Sequence, residues 1–163
     1  MTHAQKSSKL VEFGQQILYK KSLPEGLPLI STYSKEIIGA DRSSMFIYSP
    51  KKAELWTTLA DGVERIVVPV DKGIVGKTLE LKEIVVENDA YSNPAFLADV
   101  DKETGYTTHN IIAAPLFNEN NQIVGVFELL NKEGGYTKED VKYMKFFARS
   151  LGNFIELAKL YEG

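Results

Sequence analysis

The sequence predicts an α+β fold, with a central antiparallel β-sheet and helices packed on one face. Three observations carry this. Apolar residues recur at helical spacing near both ends of the chain. The middle of the chain changes to short runs rich in β-branched and aromatic residues. Between those runs stand turn signals such as Asp61-Gly62 and the stretch NENN.

The elements follow in order. In residues 5–20, Leu10, Phe13 or Gly14, Ile17 and Leu18 form a narrow apolar stripe. SLPEGLP reads as a break, after which Leu27, Ile30, Ser34 and Ile37–Ile38 repeat the helical period. Gly39 is a natural C-cap. Strands are expected at 43–49 (SSMFIYS), 54–60 (ELWTTLA) and 64–70 (ERIVVPV). GIVGKTLELK reads as a short helix, with a strand at Ile84–Val86 after it. Residues 88–110 are expected to be irregular or weakly helical, with a turn at Asn93-Pro94. Two further strands, IIAAPLF and QIVGVFELLN, precede a closing helix over 138–161. That helix carries Val141, Met144, Phe147, Leu151, Phe154–Ile155 and Ala158 in one unbroken stripe. Thr137 and Asp140 make a capping-box-like start, and Tyr136 and Val141 stand at the positions of a hydrophobic staple. Residues 1–24 are therefore read as an N-terminal helix and linker, and 25–163 as the domain with its long closing helix.

A chain of 163 residues fits one domain with an extension. At that size folding buries roughly 70% of the unfolded surface, so no metal or disulfide staple is needed. The net charge of −3 and basic spots only two residues long argue against a nucleic-acid surface. There is no cysteine, which excludes disulfides, thiolate metal sites and cysteine nucleophiles. No window approaches the ~20 apolar residues of a membrane span, and the N-terminus has no apolar signal region. A cytoplasmic protein is the expectation.

Motif candidates reduce on inspection. Gly76-Lys77-Thr78 ends like a phosphate-binding P-loop, but that loop needs four residues between its glycines. The first glycine would fall on Asp71, and Gly73 leaves only two between. A helix opening at Gly73–Gly76 could offer amides to an anion; glycines chosen for a tight turn explain the same residues. Asp99, Asp101 and Glu103 miss the glycine and glutamate positions of a calcium loop and read as a solvated acidic loop. His109 is the one histidine beyond the N-terminal segment, too few for a zinc site or a catalytic triad. No catalytic residue and no metal site are expected. What does stand out is DKETGYTTHN (101–110), dense in short hydroxyls just before a buried strand.

Three stretches together carry a family resemblance: GADRSSMFIY, IVVPVDKGIVGKTLELKEIVVENDAYSNPAF and TGYTTHNIIAAPLFNENNQIVGVFELLNK. The chain resembles a GAF domain from about Leu27 to Ala158. It is similar in particular to the regulatory GAF domains of cyclic-nucleotide phosphodiesterases and bacterial adenylate cyclases. The resemblance implies the GAF/PAS-like arrangement, a sheet with helices on one face and a ligand pocket under a lid on the other. The segment 91–110 would be that lid. Carried over position by position, the implied ligand residues are Ser44, Asp61, Ile74, Val75, Thr104, Thr108 and Glu128. The family's Asn-Lys…Phe…Asp-Glu signature appears as Asn131, Lys132, Tyr136 and Asp140, with Val141 in place of the final Glu. These are expected to serve structure. Ala60 and Leu97 stand where cyclic-nucleotide binders tend to carry aromatic residues, which removes stacking surface for a purine.

The resemblance implies a sensory module of a signalling protein, in which a small molecule binds and the terminal helices relay the change. No cofactor is certain, and a cyclic nucleotide is one candidate ligand. A homodimerisation module with a vestigial pocket is the alternative, and a homodimer through the terminal helices is expected in either case. An output domain outside this chain is possible on the same grounds. An enzyme is the weakest reading: the related free methionine sulfoxide reductases use cysteine, which this chain lacks.

Overall fold

The computed structural model describes residues 1–60, 67–94, 96 and 105–162. Within them one antiparallel sheet holds β1 (Ala40–Ser49), β2 (Glu54–Ala60), β3 (Val67–Pro69), β4 (Val85–Glu87), β5 (Ile111–Phe117) and β6 (Ile123–Lys132). The spatial order is β3-β2-β1-β6-β5-β4. The two ten-residue strands lie at the centre and the two three-residue strands at the edges. The helices are α1 (His3–Ile17), α2 (Leu23–Ile38), α3 (Gly73–Leu81) and α4 (Lys138–Glu162).

Side chains alternate across the pleat, so each strand feeds two cores. On the first face Met45, Ile112, Phe127 and Leu129 meet Ile30, Ile37, Met144, Phe147 and Leu151 from α2 and α4. Phe13 brings α1 into the same core, with ring centroids 5.5 Å from Tyr33 and 5.1 Å from Phe147. Of the apolar stripe read in 5–20, Leu10, Phe13 and Ile17 pack inward, whereas Leu18 is exposed. The second face carries Phe46, Leu55, Val68, Ile111, Ala113 and Val126, covered by Ile74 and Val75 of α3. Three helices thus lie on one face, as expected, and α3 crosses the other.

Most expected boundaries hold within a few residues. The exception is SLPEGLP, where α2 starts four residues before Leu27 and runs through the segment. Pro24 sits in the first turn, where its missing N–H leaves nothing unsatisfied, and Pro28 is accommodated one turn further on. The backbone amides of Glu25 and Gly26 donate to the Ser22 carbonyl, so the helix is already wound before Leu27. Gly39 closes it at φ +91, the left-handed C-cap that its position suggested. Thr137 and Asp140 form the expected reciprocal cap at the start of α4.

Candidate functional site

The second face of the sheet is where the predicted ligand residues converge. Ser44 on β1 and Glu128 on β6 are direct cross-strand partners, and Ala113 on β5 stands opposite Glu128 on its other side. Ser44 shares the parity of Phe46, and Glu128 that of Val126, so both point away from the α1–α2–α4 core. Both are buried, as is Thr108. Ile74 and Val75 of α3 form an apolar wall over the same face. The methyl of Ala113 leaves more room beside the Glu128 carboxylate than a larger residue would.

The local sequence explains how α3 reaches this position. Gly73 opens the helix at φ +75, and a Cβ on Gly76 would lie 2.8 Å from the Val70 carbonyl oxygen. These glycines are needed for a tight turn and for close approach to the end of β3. That accounts for GIVGKT without an anion site.

The segment before β5 is held by a side-chain network. Asn131 Oδ1 accepts from the His109 amide at 2.6 Å and from the Asn110 amide at 3.3 Å. Its Nδ2 donates to Tyr106 Oη and to the Thr107 carbonyl, both at 2.8 Å. Tyr106 in turn donates to Asp41 Oδ2 at 2.8 Å, and the Arg42 guanidinium stacks 3.8 Å over its ring. Burial, and then the Asp41 carboxylate beside it, push the Tyr106 hydroxyl far above its ordinary pKa. It therefore remains a donor throughout the physiological range.

The other signature residues make contacts within the fold. Lys132 Nζ pairs with Asp140 Oδ2, which also accepts the Thr137 amide at 2.8 Å. Asp140 is wholly buried, and its Oδ1 has no hydrogen-bond partner among the described residues. Tyr136 donates to the Leu129 carbonyl at 3.0 Å. Asn88 mimics a strand toward Tyr136: its Oδ1 accepts the Tyr136 amide at 2.8 Å and its Nδ2 donates to the Tyr136 carbonyl at 3.3 Å.

Of the seven implied ligand residues, Ser44, Ile74, Val75 and Glu128 are thus brought to one face, and Thr108 is buried. Asp61 and Thr104 lie outside the described residues, as do Leu97 and the side chain of Ala60. Asp99, Asp101 and Glu103 lie outside them too. His109 is exposed and joined to its neighbours through its main chain, accepting from Ala90 as well as donating to Asn131. Among the described residues no group of three His, Asp or Glu could hold a metal. No described helix is long and apolar enough to cross a membrane. Sequence reasoning missed Tyr106, Asn110 and Asn88. Their partners are distant in sequence, and the only local signal was one asparagine directly after β4 and another directly before β5.

The GAF domain family model matches residues 24–155, most of the chain. This chain belongs to the GAF domain family. Among curated relatives, the GAF domain is 29% identical over 148 residues to a probable 3′,5′-cyclic phosphodiesterase, pde-5, of Caenorhabditis elegans. It is 31% identical over 142 residues to a cGMP-specific 3′,5′-cyclic phosphodiesterase of Drosophila mojavensis. These matches take in 82% and 76% of this chain but only 20% and 13% of the relatives, so the chain spans a fifth or less of their length. Among solved structures, the GAF domain of a phosphoenolpyruvate-protein phosphotransferase (ptsP) from Coxiella burnetii superposes with a TM-score of 0.87. It is 19% identical, with 99% of each chain covered. A free methionine-R-sulfoxide reductase from Neisseria meningitidis, in complex with its substrate, gives a TM-score of 0.80 at 18% identity, covering 97% of this chain and 92% of that one. At these identities the structural matches establish the fold alone.

Proposed function

We propose that this GAF domain is the sensory module of a signalling protein, binding a small polar molecule between the second face of the sheet and the segment 91–110. The observation that carries this reading is the cross-strand pair of Ser44 and Glu128, both buried on the face that Phe46, Leu55 and Val126 line. The Ile74–Val75 wall would exclude water, and Ser44, Thr108 and Glu128 would fix the orientation of the ligand. Asp61 and Thr104 are proposed to complete the site. The Asn131 network ties the end of that segment to β6, which leads directly into α4; this is the route by which ligand state would reach the closing helix. The reading is regulatory rather than catalytic, because fold alone carries no activity and the chain has no cysteine for reductase chemistry.

The second reading names the ligand as cAMP or cGMP. The two phosphodiesterase relatives favour it; Ala60 and Leu97 weigh against it, since base stacking on an aromatic is worth about 1–3 kcal/mol. Thermal-shift titration of the wild type and Ala60→Phe with each nucleotide tests it. A ligand that binds only the folded state must raise the melting temperature. A shift that grows in Ala60→Phe supports a cyclic-nucleotide pocket lacking one stacking wall. No shift in either variant at millimolar nucleotide ends that reading. For the broader proposal, Thr108→Val keeps the shape and removes the donor. Native mass spectrometry should show a retained small molecule in the wild type and less of it in the variant. An identical spectrum for both removes Thr108 from the site.

A further inference from the structure

A cleft lies at the edge of the sheet, beside α4. It is about 450 Å³, between α4 and the outer edge of β5. β4 pairs only with Ile111–Ala113, so from Ala114 onward that edge has no strand partner among the described residues. Ala114, Pro115 and Phe117 make the floor, with Ala148 of α4 as a side wall. Three cations stand around it: Lys82, Lys145 and Arg149.

We infer that this cleft is a second binding site, for a small amphipathic organic anion carrying one phosphate or carboxylate on an apolar body. Three features point to that chemistry. Lys145 and Arg149 are one helical turn apart, so their like charges repel on a shared face. They continue a stripe through Lys138 and Lys142, and the nearby acids do not offset it: Glu139 pairs with Lys6, and Asp140 with Lys132. None of Lys82, Lys145 and Arg149 is in an ion pair among the described residues. Lys82 also holds the C-cap of α3 at φ +57, a left-handed position where glycine costs less, and so brings a cation to the rim.

Glu83 and Glu119 line the same cleft and narrow the choice. Two carboxylates would oppose a nucleic acid or an anionic membrane, whose charges repeat across the whole surface. A single anionic group can sit on Arg149 and Lys145 and avoid them, while its apolar body covers Pro115 and Phe117. Arg149 suits the head group, because a guanidinium meets a phosphate or carboxylate with two parallel hydrogen bonds. Occupancy would press directly on α4 and does not depend on the site proposed above.

The test is amide chemical-shift titration of the isotope-labelled protein with 1-naphthyl phosphate, and separately with 1-naphthol and inorganic phosphate. Saturable shifts at Phe117, Asn118 and Arg149 are expected with 1-naphthyl phosphate, and weaker ones with either half alone. Lys145→Gln/Arg149→Gln should reduce affinity at least about tenfold, since hydrogen bonds to a charged group are lost. Both positions are exposed; a circular dichroism spectrum checks that the variant is folded, and Arg149→Lys serves as a milder second variant with an intermediate loss. Absence of saturation at about 10 mM, a weak limit for any specific site, overturns the inference. So does equal affinity in the double variant, or shifts confined to Val75 and Thr108.

Discussion

The carboxamide of Asn110 and the main chain of Lys132 exchange two hydrogen bonds of 2.8 Å. The Lys132 amide donates to Asn110 Oδ1, and Asn110 Nδ2 donates to the Lys132 carbonyl. The Asn131 amide donates to the Asn110 carbonyl at 3.0 Å between them. Ile111 is already paired with Leu130 in the β5–β6 ladder, so this exchange extends the ladder by a side chain where the backbone turns away. Where the chain enters β5, it is thus clamped to the end of β6 immediately before α4 begins.

Asn131 should be the most sensitive part of that clamp. It makes four side-chain hydrogen bonds and sits at φ +61, a conformation that favours Asn or Gly. Replacement by Ala loses the bonds and strains the backbone, for a total of roughly 2–4 kcal/mol. Asn131→Gly relieves the strain but not the lost bonds, and should recover about 1 kcal/mol of it. Urea denaturation measures both. Faster amide exchange at Thr107–Asn110 should accompany the loss. Two variants within about 0.5 kcal/mol of the wild type would show that the network does not hold the segment.

Lys132 and Asp140 provide a second measurement on the same junction. Removing one partner of a buried pair leaves an uncompensated charge and costs ~3–5 kcal/mol when both are buried. Asp140 is fully buried but the Lys132 side chain is 18% exposed, so water can partly replace it. Lys132→Met should therefore cost about 2–3 kcal/mol, below that range. A double-mutant cycle with Asp140→Asn should show coupling above about 1 kcal/mol. Additive single effects would mean that the pair is a contact without energetic consequence.

Much of this fold was legible in the sequence, because its signals are local. Gly39 announced a left-handed cap, and Thr137 with Asp140 announced the start of α4. The alternating faces of β1 and β6 follow from strand period alone. SLPEGLP was misread because two prolines so close normally mark a break; Pro24 falls in the first turn and leaves only Pro28 to be accommodated. For the site, the resemblance supplied Ser44 and Glu128, but only the register makes them neighbours. Tyr106 and Asn110 were not legible. Each is defined by a partner more than 20 residues away, and no periodicity encodes such a contact.

Gly26 in the second turn of α2 sets two effects against each other. Alanine in a helix is favoured over glycine by up to about 1 kcal/mol. A Cβ at that position would lie 2.8 Å from the ring of Phe154, which is buried in the main core. Overpacking of this kind costs typically 1–3 kcal/mol, so Gly26→Ala should be net destabilising by roughly 1 kcal/mol. Phe154→Leu alone should destabilise, yet combined with Gly26→Ala it should cost less than the sum of the two. A stabilised Gly26→Ala would mean that the Phe154 ring moves aside freely.

The terminal helices leave apolar surface that this single chain does not cover, and a homodimer is the expected consequence. Val11 and Leu18 lie two helical turns apart and are 62% and 81% exposed, with Tyr19 beside them. Phe146 of α4, edge-on to Phe13 with ring centroids 5.8 Å apart, is also partly exposed, at 44%. At 25 residues α4 is roughly 37 Å long, more than one sheet face needs. Patches of this kind, rimmed by charge such as Glu12 and Lys20, mark surfaces for another protein. Sedimentation equilibrium should give a dimer at tens of micromolar. Val11→Glu/Leu18→Glu should weaken it at least about tenfold, since two carboxylates would have to be desolvated in the contact. The melting temperature at low protein concentration should change little, because neither side chain belongs to the core. A monomer at every concentration in the wild type would remove the dimer, and α4 would then have to act within one chain.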